Sequence, residues 1–173
     1  QMMLQSQRIA RTGSFCRDLR TGKVTWSDEQ YRIFGYKPGE IPLSFERTVQ
    51  LVHPEDRERF VTANESLVKR NQPYDGEYRF LRADGATIWV RSKAVLETDE
   101  TGQPIRVVGA AQDITDIVTL RQEREHERKL MRTMLDSSPE AMFLIKTDGT
   151  IVAAKKSLGE RFNMSADRSV GSS

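Results

Sequence analysis

The chain has 173 residues, 37% of them hydrophobic, so it can bury one ordinary core with attachments but not comfortably two. Lys and Arg number 27 against 25 Asp and Glu, a formal charge of +2, and this gives no basic field of the kind that nucleic-acid binding needs. A single cysteine, Cys16, excludes an intramolecular disulfide and points to a thiol-permissive cytosol, and the longest apolar run, residues 141–145, is far too short for a bilayer.

The N-terminus is polar and does not begin with Met, so no signal peptide is expected and the chain reads as a piece of a longer one. Residues 1–12, with Met2, Met3, Leu4 and Ile9, predict a short lead-in helix. GSFCRDLR and KVTW flank Thr21-Gly22 and predict two short strands joined in a hairpin. Ser27-Asp28 supplies a helix N-cap, Tyr31, Ile33 and Phe34 follow at helical spacing, and Gly35 stops the run.

After the turn-rich Pro38-Gly39 and Pro42, the positions of Phe45, Val49 and Val52 predict a second helix, ended by His53-Pro54. Pro54 fits the first position of a third helix, with Glu55 and Asp56 placing negative charge at its positive end. The run RERFVTANESLVKRN then presents Phe60, Ala63 and Leu67 on one face, which predicts packing.

From Tyr74 the period changes to two. Tyr78 and Phe80 share a face opposite Arg79 and Leu81; Ile88, Val90, Ser92, Ala94 and Leu96 share a face opposite Trp89, Arg91 and Lys93. Ile105, Val107, Gly109, Ala111 and Asp113 do the same opposite Arg106, Val108, Ala110 and Gln112. With turns at Asp84-Gly85 and Thr101-Gly102, these three strands form an antiparallel meander with one face covered by the central helices. The fold class is α+β.

Several phrases now fall in order with fitting spacing: WSDEQYRIFGYKPGE (26–40), VHPEDRERF (52–60), EYRFLRADGATIWV (77–90) and GAAQDIT (109–115). Residues 13–115 resemble a PAS sensory domain with its C-terminal PAC half, of the PAS fold-3 type found in bacterial signalling proteins. The resemblance implies a five-stranded antiparallel sheet with short helices on one face, followed by a long C-terminal helix. It also implies a cytoplasmic sensory module of a multidomain receptor, either a histidine kinase or a diguanylate cyclase or phosphodiesterase, and not an enzyme in itself.

Residues 116–136 predict a linker helix free of Gly and Pro. Ile117 and Leu120 open a heptad seam that passes through Arg124 and Glu127 to Met131 and Met134, apolar at its ends and charged in its middle. Such a seam suits a tunable coiled coil, and a solvated single helix is the alternative. Residues 142–162 echo residues 14–34, with Gly149 at the place of Gly22 and Ile151 at that of Val24, so 137–173 resemble the truncated start of a second PAS domain. Residues 165–173 predict disorder.

The candidate sites follow from this layout. The small residues Val90, Ser92, Ala94, Gly109 and Ala111, facing Phe34, Tyr78 and Phe80, leave room for a small-molecule ligand or for bulky helix side chains such as Phe45, Phe60 and Leu67. Asp113, Ile114 and Thr115 form a signal relay in which the last strand runs straight into the helix, and the resemblance implies a basic partner for Asp113, with Arg91 and Lys93 as candidates. Trp89 on the open sheet face needs cover from the lead-in helix or a second subunit, and with Ile117, Leu120, Met131 and Met134 it makes the candidate homodimer interface. A downstream output domain in the same parent chain is the other expected partner, and no direct membrane insertion is expected.

No catalytic set or metal cluster stands out. PAS domains that bind haem present a histidine from the long helix, where this chain has none, and flavin-adduct members carry an Asn-Cys-Arg-Phe sequence that is missing here. Neither haem nor a cysteinyl flavin is therefore expected, the cofactor stays unknown, and Cys16 is read as a buried structural thiol. His53 reads as a capping residue, and His126-Glu127 as part of a solvated helix face and not a phospho-accepting box. The alternative function is a constitutive dimerisation or protein-interaction module with no sensed ligand.

Overall fold

The computed structural model describes residues 11–137, 143–145, 147–149 and 151–154. The lead-in helix expected before Arg11, and most of the expected second domain, lie outside them. Arg11 and Thr12 belong to no helix: Arg11 has a φ of 46° and Thr12 opens the first strand.

Strands β1 (Thr12–Asp18) and β2 (Val24–Trp26) form the first hairpin, turning at Gly22 with a φ of 73°. Helices α1 (Asp28–Ile33), α2 (Phe45–Leu51) and α3 (Arg57–Arg70) follow, with a 3₁₀ turn at Pro54–Asp56 before the last. Strands β3 (Tyr74–Leu81), β4 (Thr87–Thr98) and β5 (Pro104–Asp113) complete one antiparallel sheet in the order β2-β1-β5-β4-β3. This is the PAS fold, and the chain continues into the long helix α4 (Thr115–Ser137). A separate two-stranded unit pairs β6 (Phe143–Ile145) with β7 (Ile151–Ala154), with Gly149 at a φ of 87°.

Local chemistry explains the helix limits. Ser27 caps α1, its Oγ accepting the Gln30 N–H at 3.3 Å and the Ser14 N–H at 3.0 Å, so one hydroxyl ties helix start to strand. Ser44 caps α2 through the Arg47 N–H at 3.0 Å. Gly35, at φ 78°, and Asn71, at φ 50°, take the left-handed conformation that ends α1 and α3.

The core lies between the helices and the inner sheet face. Phe60 of α3 meets Tyr78 and Phe80 edge-on at centroid distances of 5.2 and 5.8 Å, and Phe34 bridges Phe80 and Trp26 at 5.1 and 5.0 Å. Pairs of this kind each add about 0.5–1.5 kcal/mol beyond the area they bury. A second cluster holds Leu67, Ala94 and Val107, with Phe15 and Leu96 packed on it.

Two expectations need correction, for the buried face of α3 and for Cys16. The buried face of α3 consists of Phe60, Asn64 and Leu67, with Ala63 only half-buried; Asn64 is accommodated because its Nδ2 donates to the Phe60 carbonyl at 3.0 Å. Glu55 and Asp56 do stand at the start of the Pro54 turn as expected, and Asp56 has a second role: it is buried, makes no side-chain cap, and accepts from the Arg79 backbone N–H, Nε and Nη2 at 2.8, 3.0 and 2.9 Å. Cys16 is half-buried and not fully enclosed, since it alternates with the inward-facing Phe15 and Arg17 and stands between Thr25 and Val108 in the sheet.

Candidate functional site

The inner face of the sheet and the three short helices enclose a cavity of about 40 Å³. Its apolar wall is aromatic: Phe15 and Trp26 from the hairpin, Phe34 after α1, Phe45 from α2, Phe60 from α3 and Phe80 from β3. Its polar lining is Arg17, Gln30, Thr48, Asn64, Tyr74 and Ser92. Of the residues singled out in the sequence, Phe34, Phe80, Ser92 and Ala111 border this space.

Tyr78, Val90, Ala94 and Gly109 do not border it, each for a packing reason. Tyr78 is covered by Phe60 and by the Arg59 guanidinium, 4.3 Å from its ring centroid. Val90 is fully buried in the main aromatic cluster and Ala94 in the second one. Gly109 is closed off by Phe15, whose ring occupies the space that a side chain there would need. Arg17, Gln30 and Tyr74 escaped sequence reasoning because polar residues on short elements signal surface more often than interior.

Gln30 is 3% exposed and its Oε1 has no hydrogen-bond partner, as is true of the buried Arg17 Nε. Tyr74 and Ser92 meet oxygen to oxygen at 3.4 Å, a long contact, and burial pushes the Tyr74 phenol above its ordinary pKa, so it remains a neutral donor. Burial likewise pulls the Arg17 guanidinium below its usual value, against the fields of Tyr74 and Glu46.

The second element is the junction of β5 and α4. Ile114 alone separates them and is itself buried, 3% exposed. The Asp113 carboxylate accepts from the Thr115 N–H at 3.0 Å and from its hydroxyl at 2.6 Å, which caps the helix from within the strand end. Thr115 Oγ1 accepts the Trp89 N–H at 3.0 Å, and the Ile114 N–H donates to the Trp89 carbonyl at 2.9 Å. Both polar groups of one β4 residue thus hold the first turn of the helix.

Arg91 and Lys93 do not pair with Asp113. They sit on the outer face and bind Asp75 of β3: Arg91 in a fork at 2.7 Å twice, Lys93 at 2.9 Å, which together hold that carboxyl well below its usual range. Asp113 falls opposite Val90 in the ladder, so its nearest polar neighbours are on its own helix start. Trp89 is half-buried, with the Arg79 guanidinium 5.7 Å above its ring, a cover the sequence did not suggest. Ile117, Leu120, Met131 and Met134 are exposed along α4, as is Leu130, which the heptad register did not include.

His53 caps the 3₁₀ turn, its Nδ1 accepting the Glu55 N–H at 3.4 Å, and α3 carries no histidine. Among the described residues no group of side chains could hold a metal ion, and no helix is long and apolar enough to cross a membrane.

Comparison with known proteins places this geometry. The PAS fold family model matches residues 23–111. Sensor protein FixL of Bradyrhizobium diazoefficiens is 26% identical over 159 residues, 92% of this chain and 31% of that protein. A blue-light-activated histidine kinase of Brucella ovis is 36% identical over 108 residues, 62% of this chain and 21% of that protein. The chain thus spans less than a third of the length of either relative. The crystal structure of a sensory box histidine kinase/response regulator from Burkholderia thailandensis superimposes with a TM-score of 0.64 at 26% identity, over 77% of this chain and 99% of that one. Sheet order, helix placement and matched span agree: the chain belongs to the PAS family, as a sensory signal-transduction module.

Proposed function

We propose that this module is the input part of a larger receptor, a histidine kinase or a cyclic-dinucleotide enzyme, and that it passes the state of its interior from β5 into α4. The observation that carries this reading is the absence of any loop between Asp113 and Thr115, together with the two hydrogen bonds that fasten the junction to Trp89. A change of sheet geometry at Ser92 or Ala111, which are register partners facing the cavity, lies three or fewer residues from that fastening. Coupling of this kind needs two states separated by a few kcal/mol.

In this reading residues 13–115 are the PAS domain with its PAC half, 116–136 a linker helix, and 137–173 the start of a second PAS domain. The parent works in the cytoplasm as a homodimer formed through the linker helix and a sheet face, without nucleic acid and without inserting into a membrane. Haem and a cysteinyl flavin do not fit the residues present: His53 is engaged as a cap, Cys16 lies on β1 away from the cavity lining, and 40 Å³ falls far below the roughly 300–1,000 Å³ of sites for larger ligands. The test is Asp113→Ala in the parent protein. Changed basal output with an intact fold supports the relay, and unchanged output removes it.

A constitutive dimerisation module is the second reading, favoured by the exposed Ile117, Leu120, Met131 and Met134. Sedimentation with and without residues 116–136 separates the two, because a dimer indifferent to every input belongs to the scaffold.

A further inference from the structure

Arg79 of β3 and Trp89 of β4 stand directly opposite each other in the sheet, yet each turns its peptide groups away from the other. The Arg79 N–H donates to the Asp56 carboxylate at 2.8 Å and its carbonyl accepts the His53 N–H at 2.8 Å, so this peptide is fastened to the turn that precedes α3. The Trp89 N–H donates to Thr115 Oγ1 at 3.0 Å and its carbonyl accepts the Ile114 N–H at 2.9 Å, so that peptide is fastened to the start of α4. In an antiparallel ladder such a pair is the non-hydrogen-bonded kind, in which opposite side chains come closest. What joins the two fastenings is therefore a side-chain contact, the Arg79 guanidinium 5.7 Å from the Trp89 ring centroid. That lies within the reach of about 6 Å over which a cation is held to an aromatic face.

The guanidinium is also held from the other side. Its Nε and Nη2 form a fork on the buried Asp56 carboxylate at 3.0 and 2.9 Å, and Nη2 reaches Glu55 Oε2 at 2.9 Å. A fork fixes direction as well as distance, so a shift of the Pro54–Asp56 turn moves the plane that covers the indole. Arg59 stands 3.9 Å from the same carboxylate but lies over Tyr78, and so offers no parallel link to Trp89.

From this arrangement we infer that Arg79 is a positioning residue for the junction: it sets the Trp89 peptide, and through it the first turn of α4, from the turn before α3. The inference rests on the sensory reading above and adds a route to it. β3 is the edge strand of the sheet, so Asp56 and Glu55 of the helical layer meet the Arg79 side chain around that open edge and act on the outer face. The interior route reaches the junction from Ser92 and Ala111, whereas this one reaches it at the indole without passing the cavity. Coupling by such a chain of contacts requires that loosening one link loosen the next, and that is measurable.

The experiment is amide hydrogen exchange followed by NMR on the intact 173-residue chain, with Trp89 and Ile114 compared against Phe15 and Gly109, register partners in the β1–β5 ladder. Arg79→Met removes charge and fork while leaving an apolar stem near the ring. Exchange at Trp89 and Ile114 should rise at least about tenfold more than at Phe15 and Gly109, the mark of local opening. Arg79→Lys, which keeps the charge without the fork, should raise the same two amides by less, and it carries the comparison if Arg79→Met does not fold. Thr115→Val supplies a second readout: once that fastening is gone, Arg79→Met should change the folding equilibrium constant by a factor at least about threefold smaller than in the parent. Equal acceleration at all four amides makes Arg79 part of a structural ion pair only and overturns the inference. Additive effects of the two substitutions overturn it as well, as does unchanged exchange at Trp89 and Ile114 in both Arg79 variants. Exchange is read on the chain itself, so that failure leaves the relay to be judged by the output of the Asp113→Ala parent.

Discussion

The hydroxyl of Thr115 accepts the backbone N–H of Trp89 at 3.0 Å while it donates to Asp113 at 2.6 Å, so the first residue of α4 is bonded to β4 and to the end of β5 at once. Thr115→Val keeps the shape and removes both bonds. A buried N–H left without an acceptor costs about 1–3 kcal/mol. We expect chemical denaturation to show a loss of that size with an unchanged m-value, and hydrogen exchange to show faster exchange at the Trp89 amide. Unaltered protection at that amide would count against the fastening.

Gly109 tests the close approach of β1, β4 and β5. A Cβ there would collide with the Phe15 ring and with the Lys93 carbonyl, one a side chain and the other a ladder backbone atom that cannot retreat. Gly109→Ala should cost about 2–3 kcal/mol, in the range of overpacked cores. Thermal unfolding measures it. Phe15→Leu combined with Gly109→Ala should recover part of the loss, since the ring is the movable half of the clash.

Asp56 predicts the acid behaviour of the fold. Hydrogen bonds from Arg79 draw its pKa from the ordinary 3.8 to about 2. A carboxyl depressed in the folded state contributes stability that is complete above its unfolded pKa and disappears as pH falls through the folded one. The window is therefore pH 4 down to about 2. The contribution is at most about 2 kcal/mol, reduced by solvent screening on its open side. Asp56→Asn should be less stable at neutral pH, and its stability relative to the parent should recover across that window; a constant difference down to pH 2 would contradict the pairing.

The charged middle of the α4 seam sets the fourth expectation. Replacing Arg124 and Glu127 by Leu fills the two charged positions between exposed Ile117 and Leu120 on one side and Met131 and Met134 on the other. Sedimentation equilibrium should then show self-association strengthened at least about tenfold. A doubly substituted chain no more associated than the parent would favour the solvated single helix.

Much of the fold was legible because it is written in period. Tyr78 and Phe80, and Ile88, Val90, Ser92 and Ala94, alternate as residues on a half-covered sheet must, and every one of them is buried. The helix starts at Ser27 and Ser44 were equally plain in chemistry, Ser27 recognised from the sequence and Ser44 found in the structure. What stayed hidden were contacts between distant residues of unlike type. Asp56 reads in the sequence only as a charge at a helix start, which it is, because local sequence cannot show that Arg79, 23 residues later, stands beside it. The sequence offers Arg91 and Lys93 to Asp113 only for want of the register, which sets Lys93 opposite Asp75 and Arg91 diagonal to it, so that both bind Asp75. Arg17 and Gln30 border the cavity without a signal in the sequence, because a short strand and a six-residue helix carry too few turns for their inward positions to be read from pattern.

Trp89 also sits where two sides of the sheet meet. Its indole lies on the outer face under Arg79, its backbone grips Thr115 and Ile114, and Val90 beside it points into the opposite layer. A twist of that short stretch therefore cannot be private to either side. The packing of the indole on the outer face and the burial of Val90 in the interior therefore bear on the same peptide groups that hold the start of α4.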